Sequence, residues 1–309
     1  MLNTPVLLIV FNRPSTTQRV FDAIRVAKPK QLFVAADGAR KTKDGEEERC
    51  AEVRKITTQV DWDCEVKTLF SEENQGCGLG PFNAITWFFQ HVEQGIILED
   101  DCLPDPSFFP FCEQLLHQYK DDLRINSIAG TNVLGTWEKN EASYFFSVYS
   151  AIWGWATWKR AWAKYDFFVS AWSDEYIREE FLSHFLNKNE QDTYRKLLTQ
   201  THNKEIVSWW DYQLVFARII SNSFGIVPHM NLVSNIGFGP DATHTFDAES
   251  ASGNLKRNQI KFPLKDPIAI INDTEYDKII SETSYREYIK PSMVNRVKGR
   301  LKRIITKRK

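Results

Sequence analysis

The 309-residue chain has no Cys-x-x-Cys pair, no apolar run long enough to cross a bilayer, and almost no excess of either charge. Its five cysteines, Cys50, Cys64, Cys77, Cys102 and Cys112, stand at unlike spacings. An odd, unpaired set argues against a disulfide framework and against a cysteine-built zinc site, and leaves free thiols in a reducing compartment as the expectation. A membrane span needs about 20 consecutive apolar residues, and none is present. The opening MLNTPVLLIVFNRP carries too short an apolar stretch and no basic leader for a signal peptide. A cytoplasmic protein is therefore expected, with any membrane contact peripheral, on the inner face of the cell membrane. With 39 basic against 40 acidic side chains there is no overall positive field to gather nucleic acid. Internal repeats and low-complexity linkers are also missing.

Aromatic residues are abundant, with ten tryptophans. Trp153, Trp155, Trp158 and Trp162 fall within ten residues of one another. Flat rings stack on sugars, but they also fill large cores. The block 149–162 is open to both readings, acceptor binding and core.

The first 111 residues alternate strand-like and helix-like segments. Residues 5–11 form a short aliphatic run stopped by Asn12-Arg13-Pro14, and a helix follows with Val20, Ile24 and Ala27 on one face. Residues 31–36 and 65–70 read as strands, the first closing in Asp37-Gly38. Residues 76–80, GCGLG, read as a loop, with Pro81 opening a helix to His91. Residues 95–98 form a fourth strand. Strands alternating with helices predict βαβ units and a mainly parallel sheet flanked by helices. Ligands bind at the carboxyl ends of such strands. Here those ends carry Phe11 to Arg13, Asp37, the glycine loop, and Glu99-Asp100-Asp101.

Three acids in a row repel one another unless solvent or a positive charge sits among them. Carboxylates at a strand end suit a hard cation, Mn²⁺ or Mg²⁺, and with it a diphosphate. A solvated acidic turn is the plainer alternative. The glycine loop before a helix offers backbone amides to phosphate or serves as a plain turn; GCGLGP lacks the spacing of a dinucleotide fingerprint. Asp211, between Trp210 and Tyr212, suits a general base if its aromatic walls desolvate it, or a helix-terminal acid answering the dipole. His244 lies in a loop of small residues, within reach of a metal or on the surface.

Taken together, these segments resemble a GT-A glycosyltransferase, and more closely the N-acetylglucosaminyltransferase I family of inverting, manganese-dependent enzymes that use UDP-GlcNAc. The acid triplet followed by Pro104, Phe108 and Phe109 is similar to that family's EDD, proline and DFF. The likeness runs sparsely over residues 5–245. It implies Asp101 as metal ligand with His244 near the metal or diphosphate, Asp100 facing the ribose, and Glu99 facing the sugar. It implies Phe11, Arg13, Asp37, Gln75 and Gly76 around the nucleotide, and Thr243 on a loop closing over the diphosphate. Asp211 in SWWDYQ matches the catalytic base, and Trp153, Trp155 and Trp210 are expected to face the acceptor. Two departures stand out: Trp210 replaces an acid of the family's base motif, and no histidine lies near Gln75 to hold uracil. The implied partners are a UDP-sugar donor and a glycan or lipid-linked acceptor, with no nucleic acid.

The domain organisation expected is a GT-A unit over 1–250, with a nucleotide-sugar half (1–111) and an acceptor half (112–250), then an extension over 251–309. From Tyr288 onward there is no acid and there are nine Lys or Arg. Val294, Val297, Leu301, Ile304 and Ile305 fall near one helical face, which suits an anionic membrane surface. A solvated tail is the alternative, because Gly299 weakens the helix.

Overall fold

The computed structural model describes residues 1–237 and 255–284. The strands and helices run β1 (Val6–Val10), α1 (Pro14–Ala27), β2 (Gln31–Ala36), α2 (Glu46–Thr58), β3 (Glu65–Phe70), α3 (Gly76–His91), β4 (Gln94–Glu99) and β5 (Cys102–Pro104). They continue α4 (Phe108–Gln118), β6 (Ile125–Ala129), β7 (Tyr144–Ser147), β8 (Trp155–Trp158), α5 (Lys159–Trp162), α6 (Glu175–Ser183) and α7 (Lys188–His202). Last come α8 (Asp211–Ile220), β9 (Phe224–Pro228), β10 (Val233–Asn235) and α9 (Thr274–Ser284).

Eight strands form one sheet in the order β3-β2-β1-β4-β8-β6-β9-β7. The β3-β2-β1-β4 half is parallel, and so is the β6–β9 pair. Only β8 and β7 run against their neighbours. The expected α/β class, a mainly parallel sheet flanked by helices, is what the chain adopts. The sheet is continuous across residue 111, with β8 joining β4 to β6.

The VLLIV run of β1 is apolar throughout because both of its faces are covered. Val6, Leu8 and Val10 pack with Val20, Phe21 and Ile24 of α1. Leu7 packs on the other side with Ala84, Ile85 and Phe88 of α3. The chain steps from β1 outward to β2 and β3, and α3 then carries it back to β4 on the far side of β1. That reversal makes the carboxyl ends of β1 and β4 a topological switch point, the place where such sheets carry their ligand crevice.

Two expectations about local structure are corrected. The helix assigned from Pro81 begins at Gly76, so residues 76–80 are its first turns and Pro81 lies inside it. Gly76 starts it at φ +77°, a left-handed conformation that glycine adopts without strain. The polar stretch Asp174 to Gln200, which reads from its sequence as helical, is two helices, α6 and α7, broken where Asn187 caps the second. The early part of the C-terminal extension packs on the body of the fold: Asn272 bridges to Phe146 of β7, and Tyr276 of α9 is buried against Phe145. Among the described residues no helix is long and apolar enough to cross a membrane. Thr243, His244 and the basic tail lie outside the described residues.

Candidate active site

The acid triplet sits where the crevice opens. Glu99 is the last residue of β4 and pairs with Ile9 of β1, so the acids emerge beside Phe11, Asn12 and Arg13. The positive group among them is Arg13. Its guanidinium donates to Asp100 Oδ1, and its Nη1 lies 3.0 Å from Asp101 Oδ2. The second oxygen of Asp100 accepts the Phe11 backbone N–H at 3.2 Å. Asp100 is 2 % exposed, with both oxygens engaged. It thus holds Phe11 and Arg13 in place instead of facing a ribose as expected.

Burial, reinforced by Asp101 and Asp100, pushes the Glu99 carboxyl up to about 8. Burial also raises Asp100, to about 6, against the opposing pull of Arg13. Burial alone would lower Arg13, but Asp100 and Asp101 outweigh it and hold the guanidinium above its ordinary value.

A second ribbon roofs this cluster. β10 pairs antiparallel with β5, setting Asn235 opposite Cys102. Past it, the Ile236 N–H donates to the Asp101 carbonyl at 2.8 Å. Gly237 then crosses directly over the ion pair. A Cβ at Gly237 would lie 2.3 Å from Asp101 Oδ2 and 2.6 Å from Arg13 Nη1. Its N–H donates to Asn235 Oδ1 at 2.8 Å. Reading the sequence missed Gly237 and Asn235; the small-residue stretch SNIGFGP was the available signal.

The end of β2 serves another purpose than expected. Asp37 accepts the backbone N–H of Gln75 at 2.8 Å and of Gly76 at 3.0 Å, and the Asn74 amide at 3.0 Å. The carboxylate therefore fills the anion position at the start of α3. This corrects two expectations: the glycine segment is not an open phosphate cradle, and Asp37 caps a helix in place of reading a base. The Gln75 side chain is tied to Ser71 Oγ at 3.0 Å and to the Asn83 amide at 2.7 Å.

Beside them lies a network that the sequence did not reveal. Glu46, 1 % exposed, accepts Asn12 Nδ2 at 2.8 Å, the Arg40 N–H at 2.7 Å and Arg40 Nε at 3.0 Å. The hydrogen bond from Arg40 holds this carboxyl down at about 2. The Arg40 guanidinium in turn sits 5.4 Å over the Phe11 ring. In the run EEERC nothing separates Glu46 from its two acidic neighbours.

Asp211 is the first residue of α8 and half-buried. Its charge adds to the rise of the Glu99 carboxyl, which sets these two acids in one electrostatic environment. Burial, with Asp211 adding to it, also raises Tyr165, whose hydroxyl donates to the Trp210 carbonyl at 2.9 Å. The tryptophans divide. Trp153 is half-buried, while Trp155 and Trp210 are 1 % and 4 % exposed, with ring centroids 6.0 Å apart. The last two are core, which corrects their expected role as acceptor platforms: a buried ring has no free face for a sugar.

For a divalent cation the donor set is chemically apt but small. The triplet offers hard carboxylate oxygens, and Arg13 already stands in as a cation against Asp101. Among the described residues no three His, Cys, Asp or Glu side chains converge as a metal cage. Such a set fits a cation that arrives with a substrate's phosphates and takes one protein carboxylate, a common arrangement for Mg²⁺.

No family model matches the chain, and no curated protein matches it. Among solved structures it is similar to HddC from Yersinia pseudotuberculosis, at 7 % identity and TM-score 0.32 over 51 % of this chain and 77 % of that one. It is similar to a cytidylyltransferase from Leptospira borgpetersenii serovar Hardjo-bovis, at 11 % identity and TM-score 0.32 over 53 % of this chain and 63 % of that one. A third is 4-diphosphocytidyl-2C-methyl-D-erythritolsynthase from Anaerococcus prevotii, at 8 % identity and TM-score 0.33 over 70 % of this chain and 97 % of that one. At these scores the likeness carries no argument about this chain.

Proposed function

We propose that this chain is a metal-dependent inverting glycosyltransferase. It moves a sugar from a UDP-sugar, of the UDP-GlcNAc type, to a hydroxyl of a glycan or glycolipid in surface polysaccharide synthesis. One observation carries the reading. Glu99, Asp100 and Asp101 stand together where β4 ends beside β1, Arg13 pairs with Asp100 and Asp101, and the Glu99 carboxyl feels the charge of Asp211 on a separate element.

In this reading the nucleotide lies along the ends of β1 and β2, near Phe11 and Arg13, with Glu99 toward the sugar. Asp101, with His244, would hold Mn²⁺ or Mg²⁺, which when bound supplies charge neutralisation for the diphosphate. Asp211 accepts the proton of the acceptor hydroxyl as that oxygen bonds to the anomeric carbon. The bond from that carbon to the diphosphate oxygen breaks, UDP leaves, and the configuration inverts. The resemblance also gives Thr243 a part in shielding the donor from water. Trp153, the half-exposed member of its block, is the tryptophan that remains for the acceptor side.

Nucleotidyl transfer is the rival chemistry, and the β1–α1 turn speaks against it. Only Phe11, Asn12 and Arg13 separate β1 from α1, with no glycine-rich loop to wrap a triphosphate. A binding module without turnover is the other alternative, and the presence of Glu99-Asp100-Asp101 together with Asp211 favours an enzyme. Incubation with a panel of nucleotide sugars, mixed glycan acceptors and Mn²⁺ separates the three. Release of UDP with an inverted glycosidic product is expected. Pyrophosphate release from a nucleoside triphosphate and a sugar phosphate would replace this reading with nucleotidyl transfer, and donor binding without any product would leave a binding module.

A further inference from the structure

Arg13 is placed where an incoming cation would have to go. One guanidinium spans Asp100 and Asp101, and its Nη1 lies 3.0 Å from the Asp101 oxygen Oδ2. The other Asp101 oxygen, Oδ1, faces the Cys102 thiol at 3.4 Å. Gly237 closes the roof, because its backbone leaves no room for even a methyl group above the pair. Arg13 is 24 % exposed, so part of its side chain reaches solvent.

We propose that Arg13 is the resident counter-ion of the acid pair, and that it and a divalent cation exclude one another at Asp101. The charge of an arginine is permanent, so it cannot give way by losing a proton. A second positive ion brought against the same carboxylate meets its full repulsion. Arg13 gives way only by moving to another anion. A diphosphate is the natural one, because a guanidinium binds phosphate oxygens in a two-pronged contact. Cation and diphosphate then enter as a linked pair, each raising the affinity for the other. The diphosphate half of this inference rests on the glycosyltransfer reading; the exclusion at Asp101 does not.

The test uses the full chain and Mn²⁺ alone, with free ion counted by electron paramagnetic resonance and no nucleotide present. Arg13→Gln removes the resident charge and is expected to bind Mn²⁺ at least about tenfold more tightly than the wild type. Arg13→Lys keeps the charge but cannot span both carboxylates, and is expected to fall between the two. Adding Asp101→Asn to Arg13→Gln should return the affinity to the wild-type level. The proposal is overturned if both Arg13 variants bind Mn²⁺ no better than the wild type, or if the double variant keeps the gain. A parallel arm with UDP in place of nucleotide-free buffer separates the two ideas. Tighter Mn²⁺ binding in Arg13→Gln without any UDP effect in the wild type keeps the exclusion and removes the UDP-sugar reading.

Discussion

Arg13 Nη1 and Asp101 Oδ2 face each other at 3.0 Å beneath the backbone of Gly237. The two residues are 88 positions apart by their numbers and meet because β1 and β4 are hydrogen-bonded neighbours that end together. Through this contact an arrangement of three adjacent acids is stable in the fold, and through it the crevice acquires a group able to grip phosphate.

Gly237→Ala should disturb this pair directly. The added methyl group would stand 2.3 Å from Asp101 Oδ2 and 2.8 Å from Asp101 Cβ, which are not the ends of a long flexible chain. Overpacking of this kind costs about 1–3 kcal/mol. Thermal melts should show the loss of stability, and nucleotide-sugar stabilisation should fall further than stability does.

Asp211→Asn should lower sugar transfer by about 10²–10⁴-fold, the range for removing a general base. Donor binding should persist, because the Arg13–Asp101 side of the crevice is unchanged. The check is a turnover assay run beside donor-induced thermal stabilisation. Wild-type rates in the variant would remove Asp211 from the reaction.

Asp37→Ala should act on stability first. Its carboxylate holds the Gln75 and Gly76 amides at the start of α3, and loss of a helix cap costs about 0.5–2 kcal/mol. Denaturant midpoints should fall in the order wild type, Asp37→Asn, Asp37→Ala, with Asn in between because its amide oxygen keeps one bond. A variant as stable as the wild type but unable to bind donor would return Asp37 to the role of a base reader.

Two buried glutamates should give opposite pH signatures. Glu46 is held at about 2 by Arg40, so its ionised form stabilises the fold above the unfolded value near 4.3, and that contribution is lost as pH falls toward 2. Glu46→Gln should therefore be less stable than the wild type at pH 7, by about 1–3 kcal/mol, with the gap closing in acid. Glu190, 0 % exposed, accepts from Ser281 Oγ and from Tyr149 Oη at 2.9 Å, and burial raises its carboxyl. Its protonated form is the one the fold favours, present below the unfolded value and lost as pH rises through the raised one. Glu190→Gln should be more stable than the wild type at pH 8, with the gap closing near pH 4. Urea unfolding from pH 8 down to pH 2 checks both.

What could be read from the sequence follows from which interactions are local. The run at 5–11 and the acids at 99–101 were legible because strand-length apolar runs announce a parallel sheet, and sheet ends gather polar residues. The capping of α3 by Asp37 was not legible, because it depends on a helix that begins at Gly76, five residues before the proline that marked its expected start. The burial of Trp155 followed from β8 lying between β4 and β6, a position that aromatic content cannot reveal. Glu46 and Gly237 acquire their roles only from the partners that the fold brings to them.

The proposed function requires the acid pair and Arg13 to form a cation-dependent diphosphate site. Thermal stabilisation by a panel of nucleotide sugars, with and without Mn²⁺, measures this in the wild type and in Asp101→Asn. A UDP-sugar should raise the melting temperature of the wild type only when Mn²⁺ is present, and Asp101→Asn should lose that response while remaining folded. Equal stabilisation without Mn²⁺, or an Asp101→Asn variant that responds as the wild type does, would contradict it.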